Sequence, residues 1–243
     1  MNIIKLDAID STNSYLRNLK TQESLENYTV VVAKKQSQGR GQMGTQWQSE
    51  ASKNLTASIY AKVSYLEIHQ AFYISMATSL ALLKVLREFH LRQLYVKWPN
   101  DILADNLKIA GILIENSIKN TLMETTIIGI GLNVNQTQFG DLSQATSLKS
   151  ITGVDHDLDQ LLKRLAEQVV VEMKRLETGK LENVKKDYEA ALFRKDKPST
   201  FQTPDGHRFS GFIKGVSDVG LLQIRVEDNI LKTFDLKDVK LLF

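Results

Sequence analysis

Early in the chain, alternating apolar and polar positions and a run of β-branched residues predict strands of a sheet. Three runs predict strands, at residues 2–9, Tyr28 to Ala33 and Asn54 to Val63. In the third run every second residue from Leu55 to Ala61 is aliphatic, so one side of this strand is expected to be buried. Between the first two runs, Asp10-Ser11-Thr12 is a candidate N-cap for a short helix that carries Tyr15, Leu16 and Leu19.

Helical spacing replaces this alternation in three longer segments. From Ile68 to Phe89 the apolar residues recur every three or four positions, which predicts a long amphipathic helix packed on a sheet. A second helix is predicted from about Leu158 to Leu176 and a third from about Lys180 to Phe193. The apolar stripe of the second helix consists of Leu158, Leu161, Leu162, Leu165, Val169, Met173 and Leu176.

Strands dominate again between the first and second long helices, from Leu94 to Val134. Asp105-Asn106 and Lys119-Asn120 predict tight turns within this region. The runs Ile109 to Ile114 and Thr125 to Ile130 are typical of central strands with one face well buried. These alternating helical and strand patterns predict an α+β fold, with a mixed β-sheet and helices packed on it.

Composition changes near residue 194, where Arg194 to Pro198 predicts a hinge. Short strand patterns follow, separated by Asp205-Gly206, by Asp218-Val219-Gly220 and by Glu227-Asp228-Asn229. Such spacing is typical of a small barrel of four or five strands. The chain is therefore expected to contain a large domain over residues 1–193 and a small β module over residues 194–243.

Composition excludes several classes of site. The 243 residues carry a net charge of +3, and the 31 basic residues are scattered, which does not favour nucleic-acid binding. Without cysteine there is no disulfide, thiolate metal site or cysteine nucleophile, and the four histidines lack the spacing of zinc ligands. No signal peptide or membrane-spanning run is found, so we expect a cytoplasmic protein.

Candidate chemistry begins in a glycine-rich loop between Lys34 and Trp47, which contains three glycines, one arginine and no acidic residue. Gly39, Gly41 and Gly44 can adopt positive φ angles and leave backbone N–H groups free to face an anion. Arg40 adds a bidentate clamp for phosphate or carboxylate. The letters also satisfy G-x-G-x-x-G, but no helix opens after the last glycine, which argues against a dinucleotide fold. A flexible hairpin loop is the simpler alternative.

Two further motifs combine charged residues with strands. In KWPNDIL (Lys97 to Leu103), Asn100 and Asp101 can orient a magnesium ion or a ribose hydroxyl, or form a turn in which Asp101 pairs with Lys97. In KIAGILIE (Lys108 to Glu115), a mid-strand Gly111 indicates that something approaches the backbone closely. A ligand lying across Gly111 would place its charged end at Lys108; a lysine that snorkels at a strand end is the alternative.

The last two candidates are polar. In GIGLNVN (Gly129 to Asn135), two glycines again indicate close approach, and Asn133 can hydrogen-bond a base, ribose or phosphate; a β-bulge before a loop is the alternative. Ser11, Thr12 and Asn13 can form a simple helix cap, or they can bind a neutral hydrogen-bonding group such as a urea.

Taken together, DSTNSYL, QSQGRGQMGTQW, KWPNDIL, KIAGILIE and GIGLNVN resemble the catalytic core of the biotin–protein ligases, also called biotin–[acetyl-CoA-carboxylase] ligases or holocarboxylase synthetases. The resemblance implies a fold like that of class II aminoacyl-tRNA synthetases and biotin ligases, with a C-terminal SH3-like β-barrel. It also implies ATP-dependent biotinylation of a lysine on a biotin carboxyl carrier protein through biotinyl-5′-AMP, with biotin and ATP as substrates and Mg²⁺ carried on ATP.

The same resemblance implies roles for individual residues. Lys108 and Arg40 would be catalytic, with Lys108 bridging the biotin carboxylate and the α-phosphate. The biotin-binding set would be Ser11, Thr12, Asn13, Gln36, Gly39, Arg40, Gly41, Gln42, Lys108, Gly111 and Ile112. The ATP-binding set would be Arg40, Trp47, Asn100, Asp101, Lys108, Gly131 and Asn133, with the magnesium near Asp101 and no metal held by protein ligands alone.

The chain departs from the family pattern in two respects. Many members carry more arginines in the glycine loop, where this chain has Gln42, Met43 and Thr45, so its hold on the adenylate is open. No helix-turn-helix precedes the catalytic motifs, so we expect a protein that does not bind DNA. An exposed sheet edge could support a homodimer, and we expect either a monomer or a homodimer. The alternatives are a lipoate or octanoate ligase or transferase of the same fold, which needs a long apolar tunnel, and a non-catalytic biotin-binding module.

Overall fold

The computed structural model describes residues 1–119 and 122–243 of the chain. The helices are α1 Thr12–Gln22, α2 Phe72–Arg87, α3 Leu148–Thr152, α4 Leu158–Glu177 and α5 Leu181–Ala190. The strands of the first sheet are β1 Ile3–Ile9, β2 Val30–Gln36, β3 Leu55–Lys62, β4 Leu94–Lys97, β5 Asp101–Ala104, β6 Leu107–Lys119 and β7 Leu122–Leu132. The second sheet contains β8 Pro198–Gln202, β9 Arg208–Val216, β10 Leu222–Arg225, β11 Leu231–Phe234 and β12 Lys240–Leu242.

The first sheet is mixed, as the sequence pattern predicts. Within the described residues its order is β1-β2-β3-β7-β6-β5-β4, with β1 and β2 parallel and the other neighbours antiparallel. The long central strands β7 and β6 come from the two runs that were expected to be central. The prediction of an α+β fold with helices packed on a mixed sheet is therefore confirmed.

One face of this sheet forms the main core. Across the β3-β7-β6 ladder, Ala57 lies opposite Ile130, and Ile130 lies opposite Ile112, so aliphatic side chains point to the same face. Helices α2 and α4 cover that face, and α2 is buried along almost its whole length. The apolar stripe of α4 matches the predicted one, since every aliphatic residue in it from Leu161 to Leu176 is buried.

The opposite face has a different composition. Here Leu16 of α1 packs with Val31, Tyr60 and Ile127 in a smaller apolar cluster. Farther along the same strands, Gly131 lies opposite both Thr56 and Gly111, and Gly129 lies opposite Ser58 and Leu113. Because side chains alternate between the faces of a strand, small residues at these positions leave a depression beside α1.

Local predictions have mixed outcomes. The Asp105-Asn106 turn is confirmed, with both residues in the left-handed region at φ 47° and 67°. The single helix expected from Ile68 to Phe89 is interrupted, because a 3₁₀ turn over Ile68–Gln70 precedes α2. The Lys119-Asn120 turn involves Asn120, which lies outside the described residues.

Two helix termini differ from expectation. Ser11 occupies the N-cap position of α1, but its side chain makes no capping hydrogen bond. The short helix α3 was not predicted; the side chain of its N-cap residue, Ser147, accepts a hydrogen bond from the Ser150 backbone N–H. Its five residues are too few for a helical period to stand out.

None of the helices within the described ranges has the length and apolar character that a membrane span requires.

The second sheet is antiparallel, with the order β11-β10-β9-β8-β12 over its described residues. Its turn at Gly220 lies against Phe72 of helix α2 and against Trp98, which directly follows strand β4. The Trp98 indole N–H donates to the Gly220 carbonyl over 2.8 Å. Gly220 itself has φ +91°, and a Cβ placed there would lie 2.3 Å from the Phe72 ring. The turn therefore requires glycine for both conformation and space.

We predict that Gly220→Ala destabilises the protein more than a matched substitution without a clash. The alanine must adopt positive φ and displace Phe72, which together cost about 2–4 kcal/mol in free energy of unfolding. Gly153→Ala is the control, because Gly153 also has positive φ but meets no neighbour within 4 Å. Urea unfolding of both variants measures the difference. Equal destabilisation would show that the Phe72 contact contributes nothing.

Candidate active site

A cavity of about 490 Å³ lies over the glycine-bearing face of the first sheet. Its walls come from the start of α1, the loop after β2, the strands β3, β5, β6 and β7, and the second sheet. The predicted residues that it brings together are Ser11, Thr12, Asn13, Gln36, Arg40, Gly41, Gln42, Trp47, Asn100, Asp101, Lys108, Gly111, Ile112 and Gly131. Motifs that are far apart in the sequence therefore share one cavity.

One end of the cavity is neutral and rich in hydrogen-bonding groups. The Gln36 side-chain oxygen accepts from the Thr12 backbone N–H at 2.8 Å and lies 3.1 Å from the Thr12 hydroxyl. The Ser58 hydroxyl lies between the Thr12 hydroxyl, at 2.7 Å, and the Asn13 side-chain oxygen. Ser11, Thr12 and Asn13 are all buried, so this network presents oriented donors and acceptors to a ligand rather than to water.

The glycine loop is a closed hairpin. The Trp47 N–H donates to the Gly39 carbonyl at 2.9 Å, and the Gly41 N–H donates to the Thr45 carbonyl at 2.7 Å. The expectation that the Gly41 N–H stays free to face an anion is therefore wrong, because the turn itself uses this group. A Cβ on Gly39 would lie 2.3 Å from the Trp47 carbonyl oxygen, so Gly39 closes the hairpin and does not line the cavity.

Positive φ angles occur at the tip of this loop rather than along it. Gly44 has φ +77° and Met43 has φ 56°, whereas Gly41 has φ −108°. Of the three glycines that can adopt positive φ, Gly44 does so and Gly39 and Gly41 do not; at Gly41 glycine is needed for space beside the Thr45 hydroxyl. The result is a fixed hairpin that carries Arg40 on one arm and Trp47 on the other.

Arg40 reaches across the cavity to strand β6. Its Nη2 lies 3.1 Å from Oε2 of Glu115, while its Nε is buried without a hydrogen-bond partner among the described residues. A buried guanidinium nitrogen without a partner is costly, and an anionic ligand would remove that cost. Arg40 is therefore held in place with donor capacity to spare.

Trp47 covers the floor of the cavity. Its ring lies on the backbone of Gly111 and Gly131, and a Cβ on Gly131 would be 2.3 Å from the ring. The close approach expected at these mid-strand glycines is confirmed, and the approaching group is Trp47. Gly129 gives the same kind of space to Asn13, whose side-chain oxygen would be 2.5 Å from a Cβ there.

Lys108 and Asp101 form an ion pair at the far end of the cavity. The Lys108 Nζ lies 2.7 Å from Asp101 Oδ1 and 5.6 Å from the centre of the Trp47 ring. Asp101 therefore forms its ion pair with Lys108 and not with Lys97, the alternative partner. Both side chains remain partly exposed to the cavity, at 38% for Lys108 and 18% for Asp101.

Further lysines gather around this pair. Burial lowers the pKa of Lys97; Asp101 raises it, and the neighbouring charges of Lys108 and Lys240 lower it further. Lys97 also lies 4.8 Å from the centre of the Phe243 ring. A negatively charged ligand placed among these cations would relieve their mutual repulsion.

A second cavity of about 190 Å³ continues from this cationic end. It shares Trp47, Lys97, Asp101 and Lys108 with the first cavity and adds apolar and amide groups, from Phe139, Leu142, Gln144 and Phe243. Asn133 lines this second cavity rather than the first, and its side chain donates to the Thr146 carbonyl at 3.0 Å. Asn100 lines the first, and its side-chain nitrogen donates to the Ile112 carbonyl at 2.8 Å.

Several residues at the site were not singled out from the sequence. Ser58 and Glu115 lie outside the cavity lining and hold Asn13 and Arg40, while Trp98, Lys240 and Leu241 contribute walls. Glu115 is the acidic residue at the end of the KIAGILIE motif, which was already identified and therefore offered a usable signal. The sequence offers no comparable signal for Lys240, because its place depends on how the second sheet packs.

No cluster of acidic or histidine side chains suited to a metal ion occurs over residues 1–119 and 122–243. Of the described residues that line the two cavities, Asp101 alone has a carboxylate. The dominant charge at this end is positive. Chemically, the arrangement combines a neutral polar pocket with a cationic region suited to carboxylate and phosphate groups.

Comparisons with known proteins agree with this arrangement. The model of the biotin/lipoate A/B protein ligase family matches residues 6–133. The chain is 27% identical over 236 residues to the bifunctional ligase/repressor BirA of Bacillus subtilis (strain 168), covering 96% of this chain and 72% of that protein. It is 27% identical over 223 residues to the biotin–[acetyl-CoA-carboxylase] ligase of Paracoccus denitrificans, covering 89% and 91%.

A solved structure shows the same architecture. The chain aligns with the biotin protein ligase from Aquifex aeolicus in complex with biotin and ATP, with a TM-score of 0.82 and 25% identity. The alignment covers 99% of this chain and 98% of that one.

We predict that Gly131→Ala displaces the Trp47 ring from the cavity floor. The new methyl group would overlap the ring, so the indole must move into solvent and its fluorescence emission should shift to longer wavelength. The measurement uses a Trp98→Phe background, since the chain has two tryptophans. Gly140→Ala is the control, because a Cβ there meets nothing within 4 Å. Unchanged emission in the Gly131 variant would contradict the proposed contact.

Proposed function

This chain belongs to the biotin/lipoate A/B protein ligase family, whose model matches more than half of it, and we propose that it works as a biotin–protein ligase. It biotinylates a lysine of a carboxylase carrier protein at the expense of ATP. In the first step an oxygen of the biotin carboxylate attacks the α-phosphorus of ATP, which releases pyrophosphate and forms biotinyl-5′-AMP. In the second step the carrier's lysine amine attacks the acyl carbon, an amide forms and AMP leaves.

The observation that carries this proposal is the pairing of two unlike ends in one cavity. Biotin has a neutral ureido ring, which suits the buried polar residues Ser11, Thr12 and Asn13 and the half-buried Gln36 that binds Thr12. Its carboxylate would then reach toward Arg40 and Lys108 at the cationic end. A site with oriented polar groups strongly disfavours analogues that cannot pair with them, which supports biotin over lipoate or octanoate.

We propose that Lys108 and Arg40 are the catalytic residues. The adenylation step brings two anions together, so its barrier falls mainly through positive charge held in position. Lys108 would lie between the biotin carboxylate and the α-phosphate, and the unpartnered Nε of Arg40 would donate to one of them. Gly111, Ile112 and the arm of the hairpin with Gly41 and Gln42 would shape the surrounding wall.

We propose that the second cavity receives the nucleotide. Its apolar and aromatic walls suit a flat base, and its shared residues Trp47, Asp101 and Lys108 would face the phosphates. Gly131 allows Trp47 to lie low enough to leave that space. Asn100 and Asn133 would support the nucleotide site indirectly. Each side-chain amide donates a hydrogen bond to a backbone carbonyl, of Ile112 and Thr146 respectively, and so fixes the backbone there.

A magnesium ion fits this site as a companion of ATP. Magnesium in nucleotide sites is commonly bound by one or two carboxylates together with substrate phosphates, and Asp101 is the carboxylate available here. When bound, the ion would reduce the negative charge of the phosphates. Asp101 would have to share its oxygens between the ion and Lys108.

The second sheet is proposed to be a small SH3-like barrel, and the chain to divide into a catalytic domain over residues 1–193 and this module over 194–243. The module would help to position ATP, because Lys240 approaches Lys97 and Leu241 lines the first cavity. The hydrogen bond from Trp98 to Gly220 would fix the position of the module relative to the site.

The proposed function predicts biotin-dependent exchange of labelled pyrophosphate into ATP in the presence of magnesium and without a carrier protein. Exchange occurs because the first step is reversible while the adenylate remains bound. Lipoate and octanoate are the controls. Exchange supported by either of these acids and not by biotin would contradict the proposal in favour of a lipoate-type activity, and tight biotin binding without exchange would indicate a non-catalytic binding module.

Lys108→Ala is predicted to reduce the rate of this exchange about 100-fold or more, the size expected for a lost electrostatic contact to the reacting groups. Biotin binding, measured by calorimetry, should weaken far less, because the ureido pocket is intact. Lys62→Ala is the matched control, since Lys62 is exposed on β3 away from the cavity. Equal losses of exchange and of biotin affinity would argue against a catalytic role for Lys108.

A further inference from the structure

We infer that Glu115 is a positioning residue that fixes two groups of the biotin site, the Asn13 amide and the Arg40 guanidinium, relative to each other. One oxygen of its carboxylate, Oε2, accepts hydrogen bonds from both groups. The inference rests on the proposed function, because it assigns these two groups to one ligand. Glu115 does not line the cavity itself, so it acts through the residues it holds.

The contact with Asn13 determines which way the Asn13 amide faces. Glu115 Oε2 accepts from the Asn13 Nδ2 at 2.8 Å, and an ionised carboxylate can only accept hydrogen bonds. The Asn13 side-chain oxygen must therefore face the Ser58 hydroxyl, where the structure places it. Close packing on Gly129 leaves the amide little room to turn. Glu115 thus orients one of the groups that would meet the ureido ring.

The contact with Arg40 attaches the glycine hairpin to the sheet. Backbone hydrogen bonds within residues 39–47 join the hairpin to itself, as in the pairs Gly41–Thr45 and Trp47–Gly39. The ion pair from Arg40 Nη2 to Glu115 Oε2, at 3.1 Å, instead reaches strand β6. It engages one terminal nitrogen and leaves Nε without a partner. Arg40 is consequently positioned before a ligand arrives, with donors remaining for an anion.

Glu115 also balances charge at this point. Its other oxygen, Oε1, pairs with Arg17, and the Glu115 side chain is 22% exposed. One carboxylate thus lies between two guanidinium groups in a half-buried position. If its charge were lost, Arg17 and Arg40 would repel each other, and the hairpin would lose its charged link to the sheet.

Two substitutions test these contacts. Glu115→Gln retains an oxygen in the Oε2 position, which can accept from both Asn13 and Arg40, but removes the charge that strengthens the bond to Arg40. We expect it to lower the kcat of biotin-dependent pyrophosphate exchange about tenfold, the size of one charge-assisted hydrogen bond, with the biotin Kd changed less than about threefold. Glu115→Ala removes both contacts and should also weaken biotin binding about tenfold.

Arg17→Ala is the matched control. It removes the third partner of Glu115, at an exposed position, and leaves the contacts to Asn13 and Arg40 in place. We expect its kcat and biotin Kd to stay within about twofold of the wild type, as for other exposed ion pairs. Thermal unfolding of all three variants tests whether each is folded. If the Ala variant is unfolded, the isosteric Gln variant alone decides whether Glu115 has a positioning role.

A second readout follows the hairpin without relying on activity. Trypsin can cut between Arg40 and Gly41, and cleavage requires the hairpin to leave its place on the sheet. In the protein without ligands, Glu115→Gln should raise the rate of this cut about tenfold, measured by mass spectrometry, whereas Arg17→Ala should not.

The outcomes are distinguishable. If the wild-type protein shows exchange, and Glu115→Gln leaves both kcat and the rate of the Arg40–Gly41 cut unchanged, the positioning role is wrong. It is also wrong if Arg17→Ala reproduces every effect of the Gln variant. If the wild-type protein shows no exchange with biotin, the proposed function fails instead, and the tryptic cut still decides whether Glu115 holds Arg40.

Discussion

The site depends on a strip of the central sheet in which three glycines leave room for neighbouring side chains. Gly111 and Gly131 face each other across strands β6 and β7, and the Trp47 ring lies directly on them. Gly129, two residues before Gly131, makes the same room for Asn13. A methyl group at any of these positions would meet a neighbour, so the depth of the cavity follows from backbone packing against aromatic and amide groups. The other face of the same strands carries aliphatic residues and forms the core, which keeps the strip rigid.

At two places in the site, a carboxylate forms an ion pair with a basic side chain and leaves other N–H groups of that side chain free to bind a ligand. Asp101 holds Lys108 at 2.7 Å, and Glu115 holds Arg40 at 3.1 Å. Both carboxylates belong to strands of the sheet, so both cations are placed relative to the same rigid frame. Such preorganised charge is what an adenylation reaction between two anions needs. The excess of positive charge near Lys97 adds to the attraction for phosphates.

Much of the fold could be predicted from local patterns. The period of apolar residues located the strands and long helices, because each element buries one face and its residues repeat with the geometry of that element. The α4 stripe from Leu161 to Leu176 and the Asp105-Asn106 turn are examples. Where elements were short or irregular, as for α3 and the 3₁₀ turn before α2, the local signal was too brief to separate them from loops.

For the site, the sequence by itself determined which residues are candidates for the chemistry: glycines where something approaches closely, a basic residue in the loop, and polar groups at the start of α1. Only the tertiary structure decided their partners. Trp47, rather than a ligand, covers the glycines, Asp101 pairs with Lys108, and the Gly41 N–H closes its own hairpin. These outcomes depend on contacts between segments far apart in the chain. Periodicity reports which face of an element is buried, but the choice of neighbour across that face is set by how the sheets and loops pack together.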